Sequence, residues 1–147
     1  MEPSTAYRIV AKHSGKVLDV ADRSQLAGAH VNQFLWLGQH NQGWFAISIG
    51  NGYYKIVALH SGMVLEVEGQ AKGNSAAINQ ADWKGRDHQM WRLEDAGDGY
   101  YIIQAKHSGR VIDIAGGTSA TKDGVRAQQY DYNGDDNQRF RFEPFNS

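Results

Sequence analysis

One ten-residue segment occurs three times at constant spacing: AKHSGKVLDV from Ala11, ALHSGMVLEV from Ala58 and AKHSGRVIDI from Ala105, so both steps are 47 residues. A second motif closes each block, as Gln42-Gly43-Trp44, Gln89-Met90-Trp91 and Gln138-Arg139-Phe140, and it steps by 47 and then by 49. The third block therefore carries two extra residues. Counting back from Gln138 sets Gln128 opposite Asn79 and Asn32, which confines the insertion to AGGTSATKDGVRA, between Ile114 and Gln128. A segment so rich in Gly, Ser and Thr reads as a surface loop, where added length is tolerated. Three copies of one unit must bury their apolar faces against each other.

Each block reads as four short strands. In the first, YRIVA (residues 7–11) alternates large and polar side chains, KHSG (12–15) supplies a turn, and KVLDV (16–20) alternates again. After a polar stretch come VNQFLW (31–36) and WFAISI (44–49), both rich in β-branched and aromatic residues. GNG at 50–52 and GDG at 97–99 make the turns into YYKIVA and YYIIQA. No helical period of apolar residues persists for ten residues. The chain is expected to be all-β, a single domain over residues 1–147 with repeats near 7–52, 53–99 and 100–147. Propellers typically use four or more blades. Three four-stranded units closed into a three-fold array leave few exposed strand edges.

Composition removes several classes of function. The chain has no cysteine, so disulfides and thiolate metal sites are out. Its 15 basic and 16 acidic side chains nearly balance and form no like-charge run, whereas nucleic acid needs a basic face. The start, Met-Glu-Pro-Ser, has neither the charged opening nor the apolar run of a signal peptide, and no segment reaches membrane-spanning length. The expectation is a soluble protein with no membrane insertion, either cytoplasmic or a secreted domain whose leader has been removed.

The triplicated Gln-x-Trp closing motif, the LDV after an SGK turn, and the period near 47 resemble the ricin-B-type β-trefoil lectins, a family of carbohydrate-binding modules. The resemblance runs from Tyr7 to Phe142. It implies a β-trefoil of twelve strands with pseudo-three-fold symmetry, and shallow sugar sites that work without metal. Many members carry a disulfide whose cysteine positions correspond to Trp36, Trp83 and Tyr132 here. The chain resembles the cysteine-free branch, and these aromatics are expected to fill that space.

Carried onto this chain position by position, the family's ligand-binding carboxylate, stacking aromatic and Asn become Asp19, Phe34 and Asn41 in the first repeat. In the third they become Asp113, Tyr130 and Asn137. The chemistry fits a neutral sugar, which offers C–H bonds on one face and hydroxyls at its rim and so asks for one aromatic platform and a few fixed polar groups. A carboxylate is the strongest acceptor because its hydrogen bonds are charge-assisted. A lone strand Asp is ordinarily a surface group; two matching sets favour ligand binding. Asn32 and Gln128 are secondary candidates, and Asn133 is placed to reach outer hydroxyls. Gln42 and Gln138 are expected to brace the carboxylate, with Trp44, Trp91 and Phe140 in the core. The second repeat offers Glu66, Ala81 and His88, and without a ring it is expected to be weak or degenerate.

Other readings carry less. His13, His60 and His107 recur with the repeat, but each sits in its own turn, apart from the others. DYNGDDN (131–137) begins like a calcium loop but has Asp136 where Gly is needed and Phe142 where the last Glu belongs. No catalytic residues, metal or cofactor are expected, since the repeated acids fall one per block and glycoside cleavage needs a close pair. Glycans are the expected partners, of the galactose or N-acetylgalactosamine type that the resemblance most often implies, and a homodimer is compatible with the sequence. Two alternatives stay open: a trefoil that binds protein rather than sugar, as an inhibitor or toxin-associated scaffold, and the targeting module of a glycoside hydrolase.

Overall fold

The computed structural model describes residues 1–146. It contains twelve strands, four per repeat: β1 (Tyr7–Ala11), β2 (Val17–Val20), β3 (Val31–Phe34), β4 (Trp44–Gly50), β5 (Tyr53–Ala58), β6 (Val64–Val67), β7 (Ile78–Ala81), β8 (Trp91–Asp95), β9 (Tyr100–Ala105), β10 (Val111–Ile114), β11 (Ala127–Tyr130) and β12 (Phe140–Pro144). Antiparallel pairing runs β1 to β4, β4 to β5, β5 to β8, β8 to β9, β9 to β12 and β12 back to β1. That ring is a closed six-stranded barrel, which removes the free edges. The remaining strands form three hairpins, β2 with β3, β6 with β7 and β10 with β11, that cap it. The architecture is a β-trefoil, and the four-strand reading of each block holds. Among the described residues no helix is long and apolar enough to cross a membrane.

The core repeats as faithfully as the sequence. Its buried cluster is six triplets: Ile9, Ile56 and Ile103; Ala11, Ala58 and Ala105; Leu18, Leu65 and Ile112; Val20, Val67 and Ile114; Val31, Ile78 and Ala127; Trp44, Trp91 and Phe140. All lie at or below 1 % exposure. The closing aromatics are therefore core residues, as expected. Trp44 Nε1 donates to the Leu18 carbonyl and Trp91 Nε1 to the Leu65 carbonyl, both at 3.1 Å, so each indole also pins its repeat's cap hairpin.

The two extra residues of the third block lie between β10 and β11, inside the span that the offsets define. There the loop passes through Gly116 and Gly117, at φ of 93° and 80°. Asp22 and Arg23 hold the same left-handed backbone in the first repeat, at 57° and 54°, a conformation that side chains disfavour.

What joins the repeats was not visible beforehand. Gln33, Gln80 and Gln129 are fully buried, and each amide makes three hydrogen bonds. Gln80 Nε2 donates to the Ser24 and Leu26 carbonyls of the preceding repeat, both at 2.9 Å, while its Oε1 accepts from Ser61 Oγ at 2.9 Å. Gln129 binds Ala71, Gly73 and Ser108 in the same way, and Gln33 binds Ala120, Lys122 and Ser14. Main-chain bonds reinforce each junction, as from Gly28 N to Gln80 O (2.7 Å) and Gln80 N to Ala29 O (3.0 Å). The three HSG histidines belong to these junctions. His13, His60 and His107 point Nε2 at the carbonyls of Ala120, Ser24 and Ala71, at 2.7–2.9 Å, so that nitrogen carries the proton. A buried amide with every group paired fixes register as well as adding stability.

The space assigned to Trp36, Trp83 and Tyr132 is filled in two repeats only. Trp36 lies under Arg8 and edge-on to Phe145, with ring centroids 5.0 Å apart, and Lys55 covers Trp83. Phe145 fits because Gly43 has no side chain: a Cβ there would stand 3.0 Å from its ring. Tyr132 instead turns outward, 57 % exposed, beside a cavity of about 350 Å³. Ala96 lines that cavity where Phe145 and Ile49 stand in the other repeats, so the wall is too small to hold the ring.

Replacing Gln80 by Leu removes three buried hydrogen bonds, leaves the Ser24 carbonyl to His60 and the Leu26 carbonyl to Ala29 N, and is expected to cost about 2–4 kcal/mol by urea denaturation. Ser108→Ala, which removes the bond to Gln129 in an equivalent junction together with the part-buried turn bond from Arg110 N, is expected to cost about 1–2 kcal/mol. A Gln80→Leu variant as stable as the parent would show that the junctions do not hold the repeats together.

Candidate functional site

Each repeat folds a pocket between its cap hairpin and the loop before its closing motif. In the first, Asp19 on β2 is paired across the hairpin with Asn32 on β3, with Phe34 two residues further along β3. A short 3-10 turn, His40–Gln42, brings Asn41 and Gln42 up to the carboxylate. Asp19 Oδ2 accepts from Asn41 Nδ2 at 3.2 Å and Gln42 Nε2 at 3.1 Å. Gln42 also donates to Leu35 O (2.8 Å) and accepts from Leu37 N (2.8 Å), so one amide fixes both the acid and the loop. The pocket measures about 430 Å³ and is lined by Asp19, Asn32, Phe34 and Asn41, joined by Asp22, Arg23, Leu37 and Gln39.

The third repeat reproduces this geometry. Asp113 Oδ2 accepts from Asn137 Nδ2 at 3.2 Å and Gln138 Nε2 at 2.9 Å, and Gln138 Oε1 accepts from Asn133 N at 2.9 Å. Gln128 adds a third donor, to Asp113 Oδ1 at 3.0 Å, which Asn32, one methylene shorter, does not supply to Asp19. The cavity of about 250 Å³ is lined by Asp113, Gln128, Tyr130, Asn133 and Asn137 with Gly116 and Gly117. In the second repeat Glu66 accepts from Gln89 Nε2 at 3.1 Å and lies 3.2 Å from His88 Nε2, and Ala81 stands where the rings stand elsewhere. That cavity is nevertheless as large as the first, about 430 Å³.

The predicted site residues thus gather into three pockets, with Gln42 and Gln138 buried beneath theirs as braces. Leu37, Asp22, Arg23 and Gln39 were not anticipated. Leu37 had a signal, since it stands in the first repeat where Asn133 stands in the third, with its amide held by the same Gln.

The asparagines show what is unfinished in the pockets. Asn41 Nδ2 donates to both Asp19 and the Val20 carbonyl, and Asn137 Nδ2 to both Asp113 and the Ile114 carbonyl. Those acceptors fix which end of each amide is nitrogen. The opposite atoms, Asn41 Oδ1 and Asn137 Oδ1, are buried without a donor, and so is Asn32 Oδ1. Buried acceptors rarely go unpaired, and these three have no donor within the protein.

Burial also governs the acids. It pushes the Asp19 carboxyl up to about 6, against the hydrogen bonds from Gln42 and Asn41 that favour the anion. Burial raises Asp113 as well, opposed by Gln138, Gln128 and Asn137. It lowers His88, opposed by Glu66, so the imidazole favours its neutral form. With Asp19 raised in the fold, its contribution to stability is present below its ordinary value of 3.8 and lost as pH rises through about 6. The ionised acid is thus held at a cost to the fold.

Comparison with known proteins agrees with this architecture. The family model for ricin-type beta-trefoil lectin domain-like sequences matches residues 2–81, 40–122 and 87–147. No curated protein matches. Among solved structures, the designed three-fold symmetric protein ThreeFoil is 45 % identical with a TM-score of 0.91, over 94 % of this chain and 97 % of its own. An exo-β-1,3-galactanase from Clostridium thermocellum is 37 % identical with a TM-score of 0.92 over 96 % of this chain, which spans only 30 % of that enzyme's length. A Macrolepiota procera ricin B-like lectin solved with lactose is 16 % identical, has a TM-score of 0.82, and matches over 98 % of both chains. The three overlapping family matches and the three-fold barrel make one statement: the chain belongs to the ricin-type β-trefoil lectin domain family.

Proposed function

We propose that the protein is a metal-independent lectin that holds neutral sugars of the galactose or N-acetylgalactosamine type in its first and third pockets. The observation that carries this reading is the pair of buried, donor-less oxygens, Asn41 Oδ1 and Asn137 Oδ1, each beside a buried carboxylate and an aromatic ring. A sugar hydroxyl supplies the missing donor, the carboxylate accepts a second hydroxyl, and Phe34 or Tyr130 covers the C–H face. The lactose on the Macrolepiota lectin and the galactan named for the Clostridium enzyme support a galactose-type ligand. The likeness to part of that galactanase supports a second setting for the same activity, as the sugar-targeting segment of a longer enzyme.

No catalytic step is assigned to the chain. Asp19 and Asp113 act as acceptors, Asn41 and Asn137 as acceptors that also fix those acids, and Gln42 and Gln138 as braces. A single ring and a few hydrogen bonds must offset ordering and desolvation, so each pocket alone is expected to bind weakly. Two pockets on one body raise avidity wherever a glycan surface engages both.

Asp19→Ala and Asp113→Ala together are expected to abolish binding on a glycan array, while each alone leaves one pocket and loses avidity. Array binding that survives the double variant would contradict the assignment.

A second expectation concerns pH. Galactoside affinity at the first pocket, measured by calorimetry in Asp113→Ala, should fall as pH is lowered through about 6, where Asp19 takes up its proton. The Asp19 contribution to thermal stability should change in the opposite sense, rising over the same interval. Asp19→Asn is expected to flatten both dependences. Affinity that stays constant to pH 4 would remove Asp19 from the site.

A further inference from the structure

The second pocket has lost its ring but not its volume, and its three-fold partners serve as internal controls for what replaced it. The rim residue whose amide the closing Gln holds is Leu37 in the first repeat, Lys84 in the second and Asn133 in the third. Two residues further on stand Gln39, Arg86 and Asp135, and two beyond those Asn41, His88 and Asn137. In the second repeat the first two positions carry cations and the third a neutral imidazole, and neither other repeat has a Lys, Arg or His at any of them. Lys84 and Arg86 are exposed, line the cavity, and form no ion pair among the described residues.

The acids facing this cavity are Glu66 and Asp82. Glu66 is already engaged by Gln89 and His88, at 3.1 and 3.2 Å. With His88 neutral, two carboxylates and two cations balance. The first pocket, lined by Asp19, Asp22 and Arg23, and the third, lined by Asp113 alone, are each net negative when ionised. An anion is therefore repelled by two pockets and not by the second. The cavity is otherwise lined by Gln70 and Gln89, whose amides are neutral. Ala81 leaves the width that a ring occupies in the other repeats.

We propose that the second-repeat pocket binds an anionic sugar residue, with its carboxylate or sulfate on Lys84 and Arg86. Arg86 can grip either anion with two parallel N–H groups, and Lys84 adds a point charge. This inference rests on reading the three pockets as saccharide sites, and it turns the degenerate member into one of different specificity. The protein then presents two positions for neutral sugars and one for an acidic sugar, a pattern suited to polysaccharides that mix the two.

The test is calorimetry with three probes, a neutral galactoside, a glucuronate-terminated disaccharide and a sulfated galactoside, on the parent, Asp19→Ala/Asp113→Ala and Lys84→Gln/Arg86→Gln. The double aspartate variant is expected to lose the neutral probe yet hold at least one acidic probe within about twofold of the parent. Lys84→Gln/Arg86→Gln, altered only at exposed side chains, should keep the neutral probe and lose tenfold or more for the acidic one. Acidic binding should also weaken between about 50 and 300 mM salt. Whichever acidic probe binds identifies carboxylate or sulfate as the recognised group. The proposal is overturned if neither acidic probe binds the parent, or if acidic binding survives Lys84→Gln/Arg86→Gln. Retention of the neutral probe by the double aspartate variant would instead overturn the reading of the first and third pockets, with the lysine and arginine variant still judging the second.

Discussion

One side-chain amide per repeat, that of Gln42, Gln89 or Gln138, ties the fold to the pocket. Its nitrogen holds the pocket acid and a loop carbonyl, and its oxygen holds the amide of the rim residue. Two residues along the chain, Trp44, Trp91 or Phe140 is locked in the core. The motif therefore couples core packing to the position of a carboxylate within a few bonds. The chemistry at the rim can vary while the clasp stays the same, and the second repeat shows this, where Gln89 holds Glu66 beneath a pocket with no ring.

A second amide, that of Gln33, Gln80 or Gln129, performs the complementary task between repeats. Short strands of four residues in the cap hairpins bury too little surface to stand alone. Each hairpin is instead stitched to the preceding repeat's loop by the amide, its serine and the HSG imidazole. Those loops carry Asp22, Arg23, Gly116 and Gly117 at the pocket mouths, so the stitching that closes the trefoil also shapes the rims.

Much of this could be read from offsets in the chain. The repeat period located the strands, the two-residue insertion and the core aromatics, because a three-fold array must place equivalent residues in equivalent environments. Asp19, Phe34, Asn41 and their partners in the third repeat came from the family resemblance carried onto that register. Gln33 and its partners escaped notice because a polar residue in an alternating strand ordinarily faces solvent, and only the packing of the three cap hairpins against one another brings a neighbouring loop over it. The outward turn of Tyr132 escaped because its support depends on position 96, distant in sequence, where Ala96 replaces a larger side chain. Leu37, Arg23 and Asp22 are rim residues whose neighbours belong to other segments, and local pattern says nothing about them.

Ionised Asp19 is disfavoured by its burial, and Asn41 Oδ1 is left unpaired, so the first pocket carries two local costs. Natural binding sites often carry such local costs. The central claim is that this cost marks sugar sites in the first and third repeats. Titration of the ¹⁵N-labelled protein with lactose, followed by amide chemical shifts, tests it most directly. The account predicts saturable shifts at Asp19, Phe34 and Asn41 and at Asp113, Tyr130 and Asn137, with Glu66, Ala81 and His88 unmoved. Shifts absent from both sets, or centred on the cavity beside Tyr132, would contradict it.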